Sequence, residues 1–254
     1  MKSTFLILPL LSFTGAALAQ GKPAAAELPP AQTEDKTVPD DMPQWMVGFT
    51  NLPEKERIKY LTLFQQAKDD FFARNWFSCL EKLDNAEQIY KGNPHIHTLR
   101  GSCYMEIGSY DTALAEYNKV EAIQPDDLTN KANIATLAML QGKYETSIKL
   151  FREILDALPG DSNPELLNVL KFKIYASLVK MGKDQEAAKY AAEADILEDS
   201  PRFYFMEAVR YLQDKNMSKG IQSIRTAEKI FGSTPIFQTY LRIVEQMKFL
   251  PTGI

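Results

Sequence analysis

The chain has 254 residues, of which 45% are hydrophobic and 24% are charged, and its formal net charge is -4. This length allows a single domain or an elongated array of small units. The slightly acidic balance excludes nucleic acid and anionic membrane surfaces as the main partner.

Residues 1–19 have the pattern of a bacterial type of secretory signal peptide. A short charged start leads into the apolar run 5–11, and the segment ends in an A-x-A pattern at Ala19. The alternative is a membrane anchor, but the run is short for a membrane span and Pro9 interrupts it. Gln20 stands where a lipid-anchored protein would have cysteine. We therefore expect cleavage after Ala19 and a soluble exported protein, periplasmic or secreted, without stable membrane insertion.

The next segment, 20–45, is rich in proline, alanine and acidic residues and has few large apolar side chains. Such a segment buries too little apolar surface to offset the entropy lost on ordering. We predict a disordered leader here, followed by one folded domain over 46–254.

The folded domain is predicted to be a series of helical hairpins. Apolar residues at spacings of three and four predict the first hairpin, and a 34-residue period defines the next two. A fourth hairpin fits after six extra residues, and a fifth, with a weaker pattern, follows it. The predicted units are, in order, 60–93, 94–127, 128–161, 168–201 and 202–234, with a last helix over 235–250.

Equivalent positions in the two clearest units carry related residues. The pairs lie 34 positions apart and are Gly101 and Ala135, Tyr104 and Ala138, Gly108 and Gly142, Tyr110 and Tyr144, Ala113 and Ser147, Tyr117 and Phe151, and Pro125 and Pro159. A small residue recurs in all five second helices, at Cys79, Ala113, Ser147, Ala187 and Gly220. Tyr175 breaks the pattern where glycine or alanine is expected, so we expect the fourth unit to pack at a different angle. The alternative is that the register of this unit is displaced by one residue.

This pattern resembles the tetratricopeptide repeat (TPR) family over about two thirds of the chain. The resemblance implies an all-α fold, a right-handed superhelical solenoid of helix-turn-helix hairpins with a C-terminal capping helix. That last helix would turn a polar face outward, with Gln238, Arg242, Glu245 and Gln246. An ordinary helical bundle is the alternative.

The resemblance also implies a concave groove, lined by the first helices, that receives a partner segment. The register places nine residues in this lining: Thr98, Leu99, Ser102, Met105, Asn133, Thr136, Met139, Phe172 and Phe205. Their neutral, rather apolar character suits an apolar segment or an amphipathic helix. The alternative is that these side chains pack against the leader or a neighbouring helix. Some family members clamp a terminal carboxylate, but Thr98 and Ser102 stand where that clamp needs lysine and asparagine.

The residues give no support to catalysis. His95 and His97 are two positions apart and lack the spacing of metal ligands, and no phosphate-binding glycine loop or nucleophile motif is present. We therefore expect no enzyme activity, no metal and no cofactor. Cys79 and Cys103 lie on consecutive helices, so an exported protein could join them in a disulfide; the alternative is that Cys79 is simply a small buried residue.

We interpret the chain as a non-catalytic adaptor or scaffold of the cell envelope that binds a protein segment in its groove. A structural protein that associates with its own copies is the second hypothesis, and an unrecognised hydrolase is the third.

Overall fold

The computed structural model describes residues 42–197 and 200–250, and these residues form twelve α-helices and no strand. The expected signal peptide and the expected leader up to residue 41 lie outside them. A short helix, α1 (Gln44–Thr50), takes up the last two residues of the predicted leader. It packs on the first hairpin, where the Phe49 and Tyr60 ring centroids are 5.0 Å apart.

Five antiparallel helical hairpins and one final helix follow α1. They are α2 (Glu54–Phe72) with α3 (Trp76–Ile89), α4 (Pro94–Ile107) with α5 (Tyr110–Ile123), α6 (Leu128–Leu140) with α7 (Tyr144–Ala157), α8 (Pro164–Lys180) with α9 (Asp184–Ala192), α10 (Arg202–Gln213) with α11 (Met217–Phe231), and α12 (Pro235–Gln246). Each element packs mainly on its neighbours in sequence. The predicted all-α solenoid of hairpins is confirmed.

The turn inside each hairpin needs one residue with positive φ. Gly142 meets this need in the third hairpin with a φ of 75°, a conformation that glycine adopts without steric cost. The fifth hairpin lacks this glycine, and Lys215 takes the equivalent place with a φ of 60°. The turn therefore requires a positive φ, which glycine adopts most readily and which Lys215 also adopts.

The second and third hairpins are each held together by a small residue of the first helix that faces a large residue of the second helix. In the second hairpin a Cβ atom added to Gly101 would lie 2.6 Å from Cε1 of Tyr117, so only glycine allows α4 and α5 to approach this closely. The equivalent pair in the third hairpin is Ala135 with Phe151, both fully buried. The predicted small positions of the second helices are also buried, from Cys79 to Gly220.

The fourth hairpin reverses this arrangement of sizes. Tyr175 stands in the first helix where Gly101 and Ala135 stand in earlier units, and Ala191 replaces the large residue opposite. The Tyr175 hydroxyl donates a hydrogen bond to the Met206 carbonyl on α10, 3.0 Å away. Helix α10 consequently packs on α8 and hardly on α9, whereas in earlier units the first helix packs on the preceding second helix. The packing of α10 thus differs from that of the earlier first helices, and a different angle for the fourth unit stays a prediction.

Candidate partner-binding face

The nine residues expected to line an open groove are all buried. They are Thr98, Leu99, Ser102, Met105, Asn133, Thr136, Met139, Phe172 and Phe205, and none exposes more than 8% of its surface. The expectation of an accessible groove lining therefore needs correction, and packing against neighbouring helices agrees with the structure. Whether any of the nine takes part in binding stays a prediction.

The physical reason is that the first helices are enclosed on several sides at once. Helix α4 packs on α2, α3, α5 and α6. Leu99 belongs to the core of the first hairpin, whereas Met105 packs with Tyr117 and Leu137 on the other side. Thr98 and Thr136 direct their hydroxyls back to carbonyls of their own helices. Because residues on several faces of α4 are buried, little of its surface is accessible to a partner.

The last helix, α12, covers the apolar residues of α8 and α10. The Tyr240 ring centroid lies 4.9 Å from that of Phe172 and 5.5 Å from that of Phe205. Phe237 contacts Phe205 as well, with centroids 5.5 Å apart. Two of the predicted groove residues thus form the surface on which α12 lies.

Polar contacts extend this surface beyond the last two hairpins. Arg242 of α12 forms an ion pair with Glu106 at the end of α4, and these side chains are only 13% and 9% exposed. Nζ of Lys180, at the end of α8, donates to the carbonyl of Lys248 over 3.2 Å and lies 3.9 Å from the centroid of Phe249. We call Glu106, Phe172, Lys180 and Phe205 together the α12-binding face.

The predicted polar outer side of α12 is correct only in part. Gln238 and Glu245 are exposed and Gln246 is half-buried, whereas Arg242 is largely buried against Glu106. No local pattern indicates this pair, because its members lie on helices far apart in the chain. The helix therefore caps the array and also reaches back to α4.

A buried lysine lies beside the expected groove residues. The Lys173 ammonium donates to the Thr136 hydroxyl over 2.9 Å and lies 5.4 Å from the centroid of Phe151. No carboxylate of the described residues forms an ion pair with it. Burial lowers the pKa of Lys173 to about 8, because a charge is poorly stabilised away from water. Asn133 lies on the same helix as Thr136, and its Nδ2 atom is buried without a hydrogen-bond partner among the described residues.

A charged network between α3, α4 and α5 was not predicted from the sequence. Arg100 pairs with Asp84 and Glu87 at 2.8 Å each, and His97 Nδ1 lies 2.8 Å from Glu116 Oε2. Burial opposes ionisation of Glu116, but hydrogen bonds with His97 and Lys119 and the charge of Arg100 outweigh it and lower the pKa of that carboxyl to about 2. Each buried charge has an opposite partner, so the network joins the first two hairpins.

The two cysteines lie together in the core between the first and second hairpins. Sγ of Cys103 is 3.2 Å from Sγ of Cys79, and both are buried free thiols. The hydrogen bond to Cys79 and burial raise the pKa of Cys103. This proximity agrees with the predicted disulfide, whose formation stays a prediction.

An apolar cleft of 360 Å³ lies between α9 and α10, where the stacking of the fourth hairpin is irregular. Its lining includes Tyr175, Ala191 and Met206. The cleft is a direct consequence of the reversed sizes at Tyr175 and Ala191.

Two features are absent from the described part of the chain. Over residues 42–197 and 200–250, no three His, Cys, Asp or Glu side chains are grouped so that they could hold a metal ion. Among the same residues, no helix has the length and apolar character that a membrane crossing requires.

Stacked hairpins with small-to-large helix contacts, and a face that holds an amphipathic helix, define a helical-repeat protein. Residues 94–127 match the family model of the tetratricopeptide repeat. A thermophilic TPR protein of Thermus thermophilus superposes with a TM-score of 0.54 and 12% identity, over 74% of this chain and 98% of that one. The second hairpin is thus a tetratricopeptide repeat, and the array has the TPR fold.

Two curated proteins are similar to parts of the chain. Superkiller protein 3 of Schizosaccharomyces pombe is 28% identical over 128 residues, which are 50% of this chain and 9% of that protein. Protein SULFUR DEFICIENCY-INDUCED 2 of Arabidopsis thaliana is 31% identical over 99 residues, or 38% of this chain and 31% of that protein. The chain thus spans less than a third of either relative.

Proposed function

We propose that the chain is a non-catalytic adaptor of the cell envelope that binds a segment of a partner protein. The observation that carries the proposal is the α12-binding face, where the aromatic rings of Phe172 and Phe205 already hold a helix through Tyr240. A surface that holds one amphipathic helix has the chemistry to hold another of the same kind.

Two further points support this proposal. Proteins with the TPR fold generally act as adaptors in protein–protein interactions, and residues 94–127 carry that repeat. The signal peptide expected over residues 1–19 favours a location outside the cytoplasm, periplasmic or secreted. The partner is then an exported protein, or the exported part of a membrane protein.

Photo-crosslinking in the native organism tests the adaptor role. A photoreactive amino acid replaces Ile107, which is exposed and follows Glu106, or replaces Lys149, which is exposed on α7. An adaptor that uses the α12-binding face gives a specific adduct with a different protein from position 107 and none from position 149. Adducts only between copies of this chain, or none from either position, would overturn the proposal.

Self-association is the second candidate, and a separate observation favours it. The first hairpin exposes four large apolar side chains, Ile58, Leu61, Phe72 and Phe77, and Phe77 is 77% exposed. Phe237 and Tyr240 are buried and so do not offer such a surface. Light scattering over a range of concentrations should show growth in mass that Phe77→Ser abolishes. A constant monomer mass would remove this candidate.

A further inference from the structure

The last helix occupies the surface on which a partner would act. We propose that the α12-binding face is a site for a partner's amphipathic helix with the residue pattern of α12, and that α12 is its displaceable occupant in cis. This inference rests on the proposed function, because it names the kind of segment that the adaptor binds.

The apolar anchors of α12 define the first part of the pattern. Phe237, Tyr240 and Val244 are buried and follow one another at spacings of three and four. Side chains at these spacings lie on one face of a helix, which is how a helix binds in an apolar groove. The aromatic rings of Phe172 and Phe205 receive the first two anchors. A competing helix therefore needs aromatic residues three positions apart and an aliphatic residue four positions later.

A buried ion pair supplies the second part of the pattern. Arg242 reaches Glu106 on α4, three hairpins back along the array, although capping α11 alone requires no such contact. The other oxygen of this carboxylate, Oε1, is buried and has no hydrogen-bond partner in the described residues. A helix without a cation at this place would leave Glu106 buried and unpaired, which is strongly unfavourable. The face thus selects a basic residue five positions after the first aromatic anchor.

Helix α12 is the last helix of the described array, so it has a neighbouring hairpin on one side only. It packs on α10 and α11 much less than the two helices of the fifth hairpin pack on each other. The link from α11 is short and begins at Gly232, and the helix ends before Lys248, a non-glycine residue with a φ of 55°. Elements with few packing contacts open at low free-energy cost. The limited packing of α12 on the fifth hairpin therefore favours its opening without the rest of the array.

A charge swap tests this inference on the full-length chain. Four proteins are compared: the wild type, Arg242→Glu, the double variant Glu106→Arg with Arg242→Glu, and Lys229→Glu as a matched charge reversal at an exposed site on α11. The probe is a fluorescently labelled peptide with the natural sequence of residues 233–250. Its binding is followed by anisotropy, and hydrogen exchange reports the protection of α12 in each protein.

We expect Arg242→Glu to expose α12 to exchange while α4 to α11 stay protected. The peptide, whose arginine can pair with Glu106, should then bind to Arg242→Glu at least about tenfold more tightly than to the wild type. The reason is that the apparent affinity of a site falls in proportion to the fraction of molecules in which it is open. The double variant restores the internal pair and presents a cation at position 106 to the arginine of the peptide, so it should bind the peptide no better than the wild type does. Lys229→Glu should behave as the wild type.

Equal peptide binding by all four proteins, or full protection of α12 in Arg242→Glu, would overturn the inference. If that variant loses protection throughout the chain, Arg242→Gln takes its place under the same criteria. A partner crosslinked from position 107 in equal yield with and without Arg242→Glu would leave the adaptor function standing while this inference fails. Peptide binding as expected, with no crosslinked partner in the organism, would instead count against the adaptor function.

Discussion

The buried lysine on α8 should cost the protein stability at neutral pH. Lys173 is 4% exposed and its ammonium has the Thr136 hydroxyl as its hydrogen-bond acceptor. A pKa lowered from 10.5 to about 8 corresponds to about 3 kcal/mol against the charged form in the folded state. Replacing Lys173 by methionine removes this cost and loses one hydrogen bond, worth about 1 kcal/mol. We expect a net gain of about 2 kcal/mol, or about 4–8 °C in Tm for a chain of this size.

The lowered pKa of Lys173 also predicts how stability changes with pH. Between pH about 8 and 10.5 the unfolded lysine holds its proton while the folded one has lost it, so the contribution of Lys173 to wild-type stability rises with pH across this window. Lys173→Met should lack that contribution. The raised pKa of Cys103 contributes with the opposite sign in the same window, but it does so in both proteins, so the difference between their slopes reports Lys173. Burial raises the pKa values of Tyr117 and Tyr175, which lowers stability above pH about 10, so the comparison ends near pH about 9.5.

Urea unfolding followed by circular dichroism measures both effects between pH about 7 and 9.5. Lys149→Met, at an exposed position on α7, is the matched control and should change neither stability nor its slope with pH. A Lys173→Met protein less stable than the wild type at pH about 7 would refute the reasoning. Equal pH slopes in the two proteins would refute it as well.

Three other outcomes follow from the hairpin geometry, each measured by urea unfolding or mass spectrometry. Gly101→Ala should lower the free energy of unfolding by about 1 kcal/mol, because overpacking against Tyr117 outweighs the gain in helix propensity. In a protein that also carries Tyr117→Leu, the same substitution should cause no such loss, and additive effects of the two substitutions would contradict this. Gly142→Ala adds a Cβ that meets no other atom, so it should lower the free energy of unfolding by about 1 kcal/mol through its positive φ alone. An unchanged urea midpoint would contradict this. Protein exported through the expected signal peptide should have a mass two hydrogens lower before reduction than after it, because a Cys79–Cys103 bond has formed; two titratable thiols would disprove this.

The regular part of the fold was predictable because its determinants are local. The positive-φ turn glycine at Gly142 and the small residue at Gly101 each act within one hairpin, and both recur at a fixed period. The departure of Tyr175 from the repeat pattern was visible in the sequence as well. Its compensation at Ala191 could have been found by comparing the large positions of the second helices, which Tyr117 and Phe151 hold in earlier units.

The α12-binding face could not be predicted in the same way. Arg242 and Glu106 belong to helices whose separation depends on the accumulated rotation of the hairpins between them, and no local pattern encodes that rotation. Burial of Leu99 and Met105 likewise depends on how many neighbours enclose α4. The network of His97 with Glu116 joins two helices of one hairpin, and only a search for opposite charges on facing helices could have suggested it.

The reversed sizes in the fourth hairpin explain how α12 comes to lie on α8. With Tyr175 in the first helix, α10 packs on α8 instead of α9, so a helix stacked on α10 lies within reach of Phe172. Tyr175→Ala combined with Ala191→Phe restores the sizes of the earlier hairpins. We expect this double variant to keep its helical content but to lose hydrogen-exchange protection in α12, because α10 returns toward α9 and Tyr240 loses its contact with Phe172. Tyr175→Ala alone should lower stability by about 3 kcal/mol through the cavity it leaves. If α12 in the double variant exchanges as slowly as in the wild type, its position is set by Glu106 and the aromatic rings alone, and the irregular hairpin has no part in forming the face.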